Sequence, residues 1–253
     1  MHGVTSPDES PSGQPAVVSW SGGKDSALAL AALRNGSPYR PVALLTAITR
    51  EYDRVSIHGV RRELLHAQAR AIGLPLLEMW LPPRCSNEEY EAALATALSE
   101  VVRHYPTVRA IAFGDLFLED VRRYREERLR GLGFEPLFPI WGQPTRELAY
   151  EFVRVGYDAR LVCVDTEALP SSFAGRRFDA SLLADLPPHV DPCGERGEFH
   201  TFVSSGPGFV APVHSRLGRT VLRDGRFAYS DLEVADTGAE ACAMTVGSEP
   251  AGT

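Results

Sequence analysis

Lysine is almost absent from this chain: among 253 residues there are 25 arginines and a single lysine, Lys24. Heavy arginine usage can follow from nucleotide composition, which makes the exception more informative than the trend. Cysteine is scarce as well. Cys85, Cys163, Cys193 and Cys242 are widely separated with no CxxC pair, so a zinc ribbon or paired-thiol sulfur carrier is not expected and buried free thiols are. No apolar run approaches the roughly 20 residues that span a bilayer. The opening MHGVTSPDESPSGQP lacks the basic-then-apolar order of a secretory leader, so a cytoplasmic location is the expectation. Positive charge is in deficit, at a net −7. That argues against a protein whose affinity comes from neutralising a nucleic-acid backbone.

What is present is an ordinary globular composition, 44% hydrophobic and 23% charged, in a chain long enough for one or two domains. Strand-like and helix-like segments alternate through the first 165 residues or so. AVVSW (16–20), PVALLTAI (41–48), LPLLEMW (74–80), VRAIAFGD (108–115) and FEPLFPIW (134–141) read as short buried strands. Between them lie helical patterns at 26–34, 60–73, 86–102 and 118–133, with Ser86 and Glu89 forming a capping box. Strands joined by single helices imply right-handed crossovers and a parallel sheet covered on both faces. Ligands then bind at the carboxyl ends of the strands, near the switch in strand order. From about Gly142 the texture changes to helix, strand, a Gly- and Pro-rich stretch, and a hairpin signal at Asp224-Gly225. The expectation is a disordered tail over 1–14, a first domain over 15–141, a smaller α+β domain over 142–235 and a second tail over 236–253.

The residues SGGKDS (21–26) break the first strand from the first helix. A glycine-rich turn entering a helix gathers backbone N–H groups and the positive end of the helix dipole around one point, an arrangement suited to phosphate. Gly22 and Gly23 allow close approach and positive φ, Ser21 and Ser26 add hydroxyls, and Lys24 adds a compact ammonium. The loop is too short for GxxxxGK[ST]. Asp25 beside phosphate would repel it unless it holds a metal ion or caps the helix. The plainer alternative is a tight strand–helix turn capped by Asp25.

SGGKDS after a first strand resembles the PP-loop of the ATP pyrophosphatase superfamily, whose members cleave ATP to AMP and pyrophosphate. IAFGDLFLEDVRRYREERLRGLGFEPLFPIW and DPCGERGEFHTFV resemble the diphthine–ammonia ligase family within it. The resemblance implies an α/β fold: a doubly wound parallel sheet of the adenine-nucleotide alpha-hydrolase type over 15–141, with a second, smaller α+β domain. It also implies ATP and Mg²⁺ as cofactors, and amidation of a carboxylate by ammonia through an adenylate. Family members typically have a stretch resembling SGAILSDYQR where this chain has FGDLFLEDVRR. The chain therefore reads as a divergent subgroup of bacterial type, acting on a carboxylate other than diphthine.

Several residues carry these expectations. Ser21, Gly22, Gly23, Lys24, Asp25 and Ser26 are the expected nucleotide contacts, joined by Thr46 and His58 from the polar stretch after the second strand and by Gly114. Lys24, Asp115, Glu195 and Glu198 are the expected catalytic residues. Asp115 would bind magnesium or orient the nucleophile, unless it only caps the following helix. Glu195 and Glu198, in GERGE, would attract ammonium, bind metal or serve as base, a solvated turn being the alternative. His200, Arg61 and Arg62 are weaker candidates, Arg176 and Arg177 would anchor an anionic substrate, and the arginines of 122–130 read as a solvated face. Cys193, without a recognisable base, makes no case as a nucleophile.

The expected partners are ammonia and a small-molecule or peptide-borne carboxylate, with a homodimer as one option for assembly and neither nucleic acid nor membrane. The alternatives are a PP-loop tRNA-modifying enzyme and a regulatory module that binds ATP or AMP without turnover.

Overall fold

A computed structural model describes residues 13–235; both expected tails, apart from residues 13 and 14, and Cys242 lie outside the described residues. The central element is β1 (Gln14–Ser19), followed by α1 (Lys24–Arg34) and the long β2 (Tyr39–Thr49). Then come β3 (Arg54–Val55), α2 (Arg62–Ile72), β4 (Leu76–Leu81), α3 (Asn87–His104), β5 (Ala110–Ala112), α4 (Glu119–Gly131) and β6 (Glu135–Leu137). Five of these strands are parallel, in the spatial order β4-β2-β1-β5-β6. The chain winds outward from β1 through β2 to β4, then returns to the other side of β1 for β5. The switch thus falls between β1 and β5, where a crevice opens at their carboxyl ends. β2 outruns β1, pairing with it only as far as Leu45, and its free continuation at Ile48 and Thr49 takes up β3 in antiparallel.

Burial on both faces explains why β1 reads as an unbroken apolar run. Val18, Leu44, Ile48 and Ala112 point to one face, packed under α1 and α2; Val17, Ala43, Leu45 and Ile111 point to the other, packed under α3 and α4. The Ser86–Glu89 capping box is present in both directions, at 3.2 and 2.8 Å. The sequence expectation of a strand over 134–141 holds only for β6, three residues long, after which the chain turns.

The second half adds α5 (Thr145–Arg154), β7 (Asp158–Asp165), α6 (Ala180–Asp185), β8 (Phe199–Ser205), β9 (Ser215–Arg223) and β10 (Phe227–Val234). Its four strands form an antiparallel sheet in the order β8-β7-β10-β9. The hairpin turn sits where the sequence places it: Asp224 (φ 51°) and Gly225 (φ 65°) are both left-handed, the central pair of a primed turn in a three-residue connection between Arg223 and Phe227. This sheet lies on the α1/α2 face: Phe152, Phe178, Phe199 and Phe202 share one buried cluster with Val18, Leu28 and Leu65. β8 also bonds directly to the first turn of the molecule, Val203 N–H donating to the Gly22 carbonyl at 2.9 Å.

Candidate active site

The turn between β1 and α1 is built by packing as much as by its glycines. Gly22 has φ +82°, and a Cβ there would meet Gln68 Oε1 at 2.8 Å. Gln68 is fully buried; it accepts from Trp20 Nε1 at 3.0 Å and donates to the Gly22 and Val203 carbonyls at 2.9 and 2.7 Å. Gly23, not Asp25, is the N-cap of α1, and no side chain caps it. Ser26 Oγ donates to the Gly23 carbonyl at 2.9 Å, and Ser21 Oγ accepts from Gly23 N–H at 3.3 Å. Among the described residues the N–H groups of Gly22 and Ser26 have no acceptor. The turn forms one wall of a cavity of about 250 Å³ at the β1/β5 crevice. Uncommitted donors beside the positive end of a helix are the makings of an anion site.

Lys24 lines that cavity but is only 2% exposed. Its ammonium bonds both oxygens of Asp25, at 2.7 and 2.8 Å, and the Cys193 carbonyl, while its N–H donates to Thr201 Oγ1 at 3.0 Å. Burial alone would discourage the charge; the Asp25 carboxylate outweighs it and holds the ammonium above the usual lysine pKa. The single lysine therefore ties the turn to a loop 169 residues away.

That loop, DPCGERGE (191–198), is stapled from within. Asp191 accepts from Thr145 Oγ1 at 2.6 Å and from the Cys193 N–H at 2.9 Å. Glu198, buried, accepts from the N–H groups of Asp191 and Arg196, each at 2.9 Å. Gly194 (φ 68°) and Gly197 (φ 87°) make the bends. Glu198 is thus a brace outside the cavity lining, whereas Glu195 is in it and accepts from Leu116 N–H at 2.7 Å. Burial, with Asp25 and Asp115 close by, pushes the Glu195 carboxyl up to about 7 against the pull of that N–H and of Lys24. Cys193 is pushed up to about 12, chiefly by burial, a neutral thiol rather than a nucleophile.

The third wall comes from the end of β5. Gly114 is needed for close approach, since a Cβ there would lie 2.6 Å from the Asp25 carbonyl carbon. Asp115 is paired with Arg125 Nε at 2.7 Å, and the Arg125 guanidinium lies 4.3 Å from the Phe113 ring centroid. Arg125 therefore belongs to the cavity and not to the solvated face that the alternating charges of α4 suggest. His58 and His200 close the site with ring centroids 4.2 Å apart. Burial pushes His58 down to about 4 and His200 well below its ordinary value, so both are neutral at pH 7.

Beyond His58 a second cavity of about 500 Å³ runs past Trp20, Thr46, Ala47 and Met79. Among the described residues Thr46 Oγ1 is buried there without a hydrogen-bond partner. Arg61 and Arg62 are taken up by Asp231 and Glu78, and Arg176 and Arg177 by Asp185 and Asp158, each at 2.5–2.7 Å. None of the four lines either cavity.

Two family models cover most of the chain: the diphthamide synthase N-terminal domain over residues 14–136 and the diphthamide synthase C-terminal domain over 144–219. The chain belongs to the diphthamide synthase family. No curated protein matches it. Family membership makes SGGKDS a PP-loop and implies use of ATP. The smaller cavity lies where the two family domains meet, with Ser21, Gly23–Ser26, His58, Gly114 and Asp115 from the N-terminal domain and Glu195, His200 and Thr201 from the C-terminal one. Gln68, Asp191, Thr145 and Thr201 escape sequence reading because their partners are distant in the chain. Asp191 alone had a signal, as the first residue of the DPCGERGE stretch.

The two cavities fit ATP on their own geometry: Ser26, whose N–H has no acceptor among the described residues, lines the smaller, and the orphaned Thr46 hydroxyl lines the larger, apolar one. Among the described residues no group of three or more His, Cys, Asp or Glu is placed to hold a metal ion. Magnesium bound mainly through phosphates, with one carboxylate, would be held by Asp115, which lines the same cavity.

Proposed function

We propose that this protein is an ATP-dependent, AMP- and pyrophosphate-forming ligase that amidates a carboxylate with ammonia, the substrate being other than diphthine. One observation carries the reading: the uncapped start of α1 and the Glu195 carboxyl line the same cavity of about 250 Å³. One supplies donors for a departing anion, the other a group able to exchange a proton near neutrality.

ATP, when bound, supplies the activating group for the carboxylate, with pyrophosphate as the leaving anion. The Ser26 N–H and the Ser21 hydroxyl bind the pyrophosphate, which needs donors already aimed before charge develops. Thr46 Oγ1 gains its missing partner from the nucleoside. Neutral His58 and His200 present ring nitrogens without adding charge that would compete with Lys24. Glu195, ionised above about pH 7, accepts a proton from ammonium and releases the nucleophile inside the site. Lys24 keeps the PP-loop and the Glu195 loop in register, and Asp115 holds Arg125 at the rim.

Hydroxylamine in place of ammonium tests the acyl-transfer step. With ATP, Mg²⁺ and pools of carboxylate metabolites, hydroxamate should form in step with AMP. AMP without hydroxamate, whatever the pool, would contradict amidation.

A further inference from the structure

A third cavity of about 870 Å³ is larger than either of those above. It is a groove whose floor is one face of the β9–β10 hairpin and whose wall is the β2–β3 loop and Ile57. Along β9 the alternate residues Arg219, Val221 and Arg223 line it, as side chains on one face of a strand do, and a bulge opposite Asp231 brings Arg216 onto the same face. Val221 is 48% exposed, apolar surface that would be covered by an occupant.

The charges are unevenly matched. Asp231 is held by Arg54 and Arg61, and Glu233 by Arg216 and Arg61. Arg84, Arg219 and Arg223, also in the lining, have no carboxylate partner among the described residues, and Asp224 in the hairpin turn is the single acid left to oppose them. In a chain of net charge −7 this is a local positive excess facing a cavity.

The backbone points to the same place. Four non-glycine residues among those described have left-handed backbone, and three of them, Ile57 (φ 70°), Arg84 (φ 53°) and Asp224 (φ 51°), line this groove. For β-branched Ile57 the conformation is an outlier, yet it is 71% exposed and pinned by Tyr229, whose hydroxyl donates to its carbonyl at 3.0 Å. Strain of this kind concentrates at ligand sites. Thr49, Val55, Ile57 and Arg84 also line the Thr46 cavity, so the groove is continuous with it.

We infer that this groove binds a small molecule with two or more anionic groups, carboxylate or phosphate, on a partly apolar body. Arg84, Arg219 and Arg223 take the charges. The assignment of this molecule as the carboxylate substrate rests on the function proposed above, whereas the site itself does not. A cavity of this size suits a metabolite, and guanidinium forks suit both anions.

Calorimetric titration of the full chain at fixed ionic strength, with citrate, a sugar bisphosphate and acetate as probes, tests the site. Citrate or the bisphosphate, and not acetate, should bind saturably, and whichever binds assigns the anion type. R219A/R223A should weaken that binding at least about tenfold, as loss of charge-assisted hydrogen bonds requires, while leaving ATP affinity unchanged. R154A, which removes an equal kind of charge from α5, should change neither. No saturable polyanion binding to the wild type, binding unaffected in R219A/R223A, or preference for a short RNA over both polyanions would overturn the inference. Carboxylate-stimulated AMP release measured alongside separates the two claims. Polyanion binding without stimulated AMP release retains the site and removes the ligase reading. Stimulated release with the carboxylate KM unchanged in R219A/R223A removes the groove as the substrate site and retains the ligase reading.

Discussion

Lys24 shows how a residue chosen from sequence can keep its importance while its role changes. A lone lysine in SGGKDS suggests a phosphate contact that could be truncated without harm to the fold. In the structure its ammonium is buried between Asp25 and the Cys193 carbonyl, so Lys24→Ala removes a tether and leaves Asp25 unpaired. Breaking a fully buried pair costs about 3–5 kcal/mol; because Asp25 keeps some contact with water, the expected loss is about 2–3 kcal/mol, read from denaturant unfolding. Undiminished stability would show the tether to be idle. Glu195 makes the complementary case. Its carboxyl ionises as pH rises through about 7, so the base form is absent in acid and present in alkali. Ammonium-dependent kcat/KM should therefore climb between about pH 6 and 8 in the wild type. In Glu195→Gln it should be lower by about 10²-fold or more and show no inflection near pH 7, only the steady rise of free ammonia. A variant with the same pH profile would place the base elsewhere.

At the scale of elements, what the sequence reveals depends on how local the causes are. β1, β2 and the capping box of α3 are legible because an unbroken apolar run or a Ser–x–x–Glu spacing is itself the cause of the structure. β8 is not: FHTFVSS follows a glycine-rich loop, and its extended form comes from β7 and from the Gly22 carbonyl rather than from its own pattern. Arg125 was misread for a related reason, since a run such as RRYREER shows no favoured face until Asp115 selects one. The DPCGERGE stretch is legible as a distinctive glycine-rich loop, but the division between Glu195 in the cavity and Glu198 as a brace needs the fold. Gly114 illustrates element packing directly. A methyl group there would lie 2.6 Å from backbone of the PP-loop, where no flexible side chain can yield. Gly114→Ala should push the β5–α4 loop off the PP-loop, costing about 1–3 kcal/mol and weakening ATP binding measured by calorimetry. Unchanged ATP affinity would mean that the approach of these loops is not needed for the nucleotide.

For the whole molecule, the parallel sheet and its switch point follow from the alternation of strands and helices. What alternation could not disclose is that the antiparallel sheet shares a core with it. Phe152, Phe178, Phe199 and Phe202 pack with residues of β1, α1 and α2, and Gln68 bonds the PP-loop and β8 together. Thermal unfolding should therefore show one transition, with far-UV circular dichroism and tryptophan fluorescence coinciding; two separated transitions would show that the halves fold independently. The same joint core holds Glu195 opposite the PP-loop, and on that juxtaposition the proposed chemistry depends. Its most direct test is the nucleotide product. The full chain, given ATP, Mg²⁺, ammonium and a pool of carboxylate metabolites, should release AMP and pyrophosphate in a carboxylate-dependent manner. Release of ADP and phosphate, or tight ATP binding with no turnover under any pool, would contradict it.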